Sequence, residues 1–206
     1  MKKFFVLAAA AAIALCACET TDPQVDGAKP DPKPFTGVVL NELSAADKYI
    51  ELYNTTNEEI EVYGAYLVKY DSSKEGGKSV TWTAAEGMKI PANGYLVLES
   101  SDLADEAEGG KPDYEYESAN HVFKGGLSGK KNVFIEFYDG KNNKLDEFKR
   151  GDQGAGWNQV SNFTNNKKNS FSRVPNGTGK WAYAAPTKGE ANGDATGEIE
   201  QQPNVE

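Results

Sequence analysis

The stretch Val133-Phe134-Ile135-Glu136-Phe137-Tyr138 decides the fold class. Val133, Ile135 and Phe137 alternate with Phe134, Glu136 and Tyr138, so in an extended chain the two sets face opposite ways. Asp139-Gly140 then supplies turn chemistry, and residues 144–148 can return as a partner strand. The same period of two recurs at 39–43, 49–53, 60–62, 66–68 and 95–98, with a turn at Ile90-Pro91-Ala92-Asn93-Gly94. The best helical segment is 101–107, where Asp102, Asp105 and Glu106 suit a helix start. Many short strands separated by turn signals predict an all-β sandwich or barrel. The polar stretches 71–80, 99–120 and 150–169 read as long loops.

The flanks differ in composition. Lys2 and Lys3 precede an apolar run from 4 to 15, which as a helix is about 18 Å long and too short for a hydrocarbon core of about 30 Å. This is a secretory leader rather than a membrane span. Leu15-Cys16-Ala17-Cys18 resembles a bacterial lipobox, which implies cleavage after residue 17 and a thioether-linked diacylglycerol on Cys18. Both cysteines of the chain lie here, so the exported part has no disulfide framework and depends on its core. Residues 18–36 hold four prolines and few apolar side chains, as a semi-extended tether does. Residues 193–206 are polar and acidic and read as a disordered tail. The folded body is therefore expected at 37–192, long enough to bury a core of its own.

Charge narrows the partners. With 22 basic and 31 acidic residues the net charge is −9, and losing Lys2 and Lys3 with the leader makes it −11. Such a chain is repelled by phosphate backbones and anionic lipid surfaces, so no nucleic acid is expected and the lipid must do the membrane binding.

In order along the body stand V-V-L-N-E-L (38–43), Y-I-E-L-Y-N (49–54), V-Y-G-A-Y-L (62–67) and I-P-A-N-G-Y-L-V-L (90–98). G-L-S-G-K-K-N-V-F-I-E-F-Y-D (126–139), S-F-S-R-V-P-N-G-T-G-K-W (170–181) and P-T-K-G-E-A-N (186–192) follow. This series resembles the lamin tail domain, a small immunoglobulin-like β-sandwich. Ala65 and Lys188 depart from the pattern, where the family has an aromatic residue and a proline. The resemblance implies that Asn41, Glu42, Glu51, Asn54, Arg173, Trp181 and Asn192 are framework residues. It also implies an adaptor or interaction role in the envelope. Arg173 can present its guanidinium fork to a carboxylate, and Glu51 or Glu42 is the expected partner.

The catalytic alternatives are weaker. Glu42 and Glu51 on neighbouring strands could serve as a glycosidase pair, but the framework reading is favoured. His121 is the single histidine, so histidine triads and multi-histidine zinc sites lack material. Gly125-Gly126-Leu127-Ser128-Gly129-Lys130-Lys131 misses the phosphate-loop spacing, and 126–129 misses the nucleophile elbow. Asp139, Asn142, Asn143 and Asp146 miss the EF-hand pattern and suit a hairpin turn better. No catalytic residue, cofactor or metal is expected. The leading expectation is a non-enzymatic, lipid-anchored envelope protein, with the outer membrane favoured over the inner, that binds an envelope protein or an extracellular ligand. The alternative is a glycan binder that stacks sugars on exposed aromatics, for which Trp82, Trp157, Trp181, Tyr114 and Tyr116 are the material and Trp157 the best platform.

Overall fold

A computed structural model describes residues 29–70, 77–103, 120–151 and 168–199, and among these described residues the alternation of apolar and polar side chains runs through thirteen strands. The strands are β1 Val38–Ser44, β2 Tyr49–Asn54, β3 Ile60–Glu61, β4 Tyr66–Tyr70, β5 Lys78–Thr83, β6 Lys89–Ile90 and β7 Tyr95–Ser100. They continue as β8 Val122–Phe123, β9 Val133–Tyr138, β10 Lys144–Arg150, β11 Ser170–Val174, β12 Lys180–Ala184 and β13 Gly197–Glu198. Seven strands form one sheet in the order β13-β12-β11-β1-β2-β7-β8, four form a second in the order β10-β9-β4-β5, and β3 pairs with β6. The chain is all-β, as the period of two predicts.

The two larger sheets share one core. Leu40, Leu43, Ile50, Leu52, Leu98 and Phe171 come to it from the first sheet, and Leu67, Trp82, Ile135, Phe137 and Phe148 from the second. In β9 the alternation holds: Val133, Ile135 and Phe137 enter this core, while Phe134 joins Val68, Tyr70, Tyr66 and Tyr138 on the far face of its sheet. There Tyr66 and Tyr138 stack with ring centroids 4.9 Å apart. Buried Glu136 accepts hydrogen bonds from the hydroxyls of Tyr70 (3.1 Å) and Tyr138 (3.0 Å).

Three bulges interrupt the ladders, at Asn41 in β1, Thr81 in β5 and Leu145 in β10. The first has the widest effect. Leu40 and Leu43 both point into the core although they stand an odd three positions apart, because the extra residue at Asn41 reverses the alternation. Beside the bulge, the Leu40 amide is taken by Asp146 of the second sheet and the Leu40 carbonyl by the side chain of Arg173 on β11 of the first. Asp146 Oδ2 accepts the Leu40 amide at 2.9 Å, and Arg173 Nε donates to the Leu40 carbonyl at 2.8 Å. Arg173 Nη2 also donates to both Asp146 oxygens, at 2.7 and 2.8 Å. This corrects the expected pairing with Glu51 or Glu42: Arg173 bridges the sheets to Asp146 on β10. Its guanidinium lies 4.8 Å from the Trp181 ring, which in turn meets Phe148 edge-on at 4.7 Å.

Four boundaries also move. Lys78–Val80 belongs to β5 rather than a loop, since an edge strand tolerates polar residues and the Lys78 ammonium covers the Tyr70 ring at 4.6 Å. Glu99, Ser100 and Arg150 likewise lie in strands. Residues 193–199 are part of the fold, not a free tail: Ala182 pairs with Glu198, Tyr183 with Gly197, and Ile199 is buried in the core. Of the expected helix, Asp102 and Leu103 are helical, and 104–107 lie outside the described residues.

Removing one member of the bridge strands the other in a partly buried place. Arg173→Ala and Asp146→Ala should each lower stability by about 3 kcal/mol in urea denaturation. The double variant should cost clearly less than the sum of the two.

Candidate functional site

The largest concentration of buried polar groups lies on the face of the seven-stranded sheet turned away from the core. The Asn41 bulge sets Glu42 directly opposite Glu51 on the neighbouring strand, and both are fully buried. Residues 187–192 cross over them. The Thr187 amide donates to both Glu42 oxygens at 3.2 Å, and the Thr187 hydroxyl reaches Oε2 at 3.0 Å. The Ser170 hydroxyl donates to Oε1 of the same carboxylate. On Glu51, Oε1 accepts Asn41 Nδ2 at 2.8 Å and Oε2 accepts the Gly189 amide at 2.7 Å.

The asparagines complete the closure. Asn41 Oδ1 accepts the Gly177 amide at 2.9 Å, and Asn41 Nδ2 also donates to Asn176 Oδ1 at 2.8 Å. Asn192 Nδ2 bridges the carbonyls of Asn41 (3.1 Å) and Arg173 (2.9 Å), and its backbone amide meets Asn176 Oδ1 at 3.2 Å. Asn54 works at the other end of β2. Its Nδ2 donates to the carbonyls of Glu58, Ile90 and Pro91, while its Oδ1 accepts the amide and hydroxyl of Thr56. The structure therefore brings Asn41, Glu42, Glu51 and Asn192 into one network and places Asn54 and the Arg173–Trp181 pair beside it. Sequence reasoning missed Ser170, Thr187, Gly189 and Asn176 as members. The adjacent motifs 170–181 and 186–192 held the only signal for them.

Among the described residues, both carboxylates meet only neutral donors, and neither has a lysine, arginine or histidine partner. Burial is the main force on Glu51 and raises its pKa. The Asn41 and Gly189 donors offset part of this, neighbouring Glu42 adds to it, and the group is pushed up to about 7. Burial beside Glu42 likewise pushes the Tyr49 hydroxyl far up.

The other sequence candidates have structural partners. Asp139 Oδ1 accepts the amides of Lys141 (2.8 Å) and Asn143 (2.9 Å), which closes the β9–β10 hairpin, and Asp146 is held in the inter-sheet bridge. Ser128 Oγ accepts the amides of Lys130 and Lys131. Trp82 is buried and donates to the Asn120 carbonyl at 2.6 Å, so it presents no free ring face. His121 is exposed. Cys18, Trp157, Tyr114 and Tyr116 lie outside the described residues. Among the described residues, no group of three or more His, Cys, Asp or Glu side chains is placed to hold a metal ion.

No protein-family model matches the chain, and no curated protein shows significant similarity to it.

A carboxyl whose folded pKa is raised above its unfolded value makes the folded state bind more protons. Stability should therefore fall as pH rises from about 4.5 and level off above about 7, by as much as about 3 kcal/mol for this group. Denaturant titrations across this range should show the fall, and Glu51→Gln should flatten it.

Proposed function

We propose that the chain is a non-enzymatic, lipid-anchored protein of the bacterial envelope, with an immunoglobulin-like domain of the lamin-tail type serving as a binding or adaptor module. Its main support is the employment of Glu42 and Glu51. The two carboxylates that a glycoside hydrolase would need are the acceptors that hold the domain's own closing turn. The seven segments that resemble lamin tails also fall in chain order on β1, β2, the turn into β4, β6–β7, β9, β11–β12 and that closing turn. The anchor of this reading is a lipid on Cys18, in the outer membrane rather than the inner, with the Pro-rich segment as spacer.

A module of this kind recognises partners through loops and strand edges. Strand β5 ends the four-stranded sheet and carries Val80, 54% exposed and the one exposed large hydrophobic side chain among the described residues. An edge strand with an exposed apolar side chain suits a protein partner better than a polyanion, as does the net charge of −9.

Protease shaving of intact cells, with mass spectrometry of the N-terminal peptide, tests the anchor. Diacylglycerol on Cys18 is expected, and an unmodified mature N-terminus would remove the lipoprotein reading. In-cell cross-linking should recover a specific envelope protein, and Val80→Lys should reduce its yield several-fold. A tryptophan fluorescence shift with polysaccharides, lost in Trp157→Ala, would replace the adaptor reading with glycan binding.

A further inference from the structure

We propose that residues 186–192 form a proton-dependent latch, which closes over the seven-stranded sheet while the buried Glu51 carboxyl, facing Glu42, keeps its proton and loosens when Glu51 gives that proton up. The geometry supplies the reason. Two fully buried carboxylates face each other across β1 and β2, and the latch contacts them through the Thr187 amide and hydroxyl and the Gly189 amide. All donors to the pair among the described residues are neutral. Neutral donors offset part of the desolvation of one anion, but two adjacent buried anions without a counter-ion cost more than water would charge them.

The groups around the pair are accounted for from each side. From β2 come the hydroxyl of Tyr49, which Glu42 and Glu51 both push up, and Glu51 itself. From β11 come the uncharged Ser170 and Ser172, which share a hydrogen bond. From β7 comes Glu99, which is paired with Lys188 of the latch. The Lys188 ammonium also stands 5.9 Å from the Tyr49 ring centre. From the loop before β12, the Asn176 amide donates to the Tyr95 hydroxyl, whose pKa burial raises first and the charges of Glu51 and Glu190 raise further. Lys188, the cation of the latch, is thus committed to Glu99. Lifting the latch admits water to both carboxylates and is the shortest route to relief.

Opening is therefore linked to proton release. As the Glu51 carboxyl moves from its buried value of about 7 towards an ordinary one, the opening constant should rise roughly 50-fold between pH 5 and pH 8. The experiment is amide hydrogen exchange by NMR on the full chain, with protection factors corrected for the intrinsic rate at each pH. Thr187 and Gly189 should lose protection by that factor. They should stay well below Ile50 and Leu52 at every pH, because the latch opens without global unfolding. In Glu51→Gln their protection should not change with pH. If that variant does not fold, the wild-type carboxyl 13C titration of Glu51 gives the same answer: latch protection must fall up to its midpoint and flatten above it. A pH-independent protection at Thr187 and Gly189 would overturn the latch. So would protection equal to that of Ile50 and Leu52, or a fall that continues past the Glu51 midpoint.

Discussion

Between Leu40 and Glu42 the first strand steps out of register with the second, and most of the polar contacts that organise the domain follow from that step. A regular strand would turn Glu42 towards the same side as Leu40, into the apolar core. The extra residue at Asn41 turns it to the opposite face, beside Glu51, and leaves Leu43 to fill the core. It also presents the Leu40 amide and carbonyl to Asp146 and Arg173. One bulge therefore serves two purposes, joining the sheets on one side and creating an acceptor site for the closing turn on the other.

The two polar assemblies differ in chemistry. Arg173 and Asp146 are opposite charges joined by two hydrogen bonds. Glu42 and Glu51 are like groups whose donors among the described residues are all neutral. The sheets are thus joined by a contact between opposite charges, and covered by one between carboxyl groups and neutral donors. The same contrast appears on the far face of the four-stranded sheet. There buried Glu136 has the ammonium of Lys78 at 3.3 Å as well as two tyrosine hydroxyls.

Much of this was legible in the sequence, and the rest was not for physical reasons. The alternation from 133 to 138 assigns each side chain to its face, since the pleat alone determines the pattern. The importance of Asn41, Glu42, Glu51, Asn54, Arg173 and Asn192 could be read from the motifs, and each makes defined contacts. The partner of Arg173 could not be read, because Asp146 lies on the other sheet and meets it through a bulge that leaves no compositional mark. Lys78–Val80 looked like loop because an edge strand needs an apolar face on one side only. Ile199 was overlooked because one apolar residue in an acidic segment carries no periodicity, yet it is buried and brings β13 with it.

The closing segment has a consequence for how the domain is made. Strand β1 pairs with β2 a few residues on, but its other neighbour is β11, and the carboxylates it helps to seat receive their cover from residues 187–192. Pairings this distant in sequence form late, because loop closure must precede them. With β10 in place the first sheet still lacks three of its seven strands, and its two most buried glutamates lack their cover. Completion waits for the last segment, with residues 187–192 closing over the carboxylates and β13 pairing with β12 beyond them.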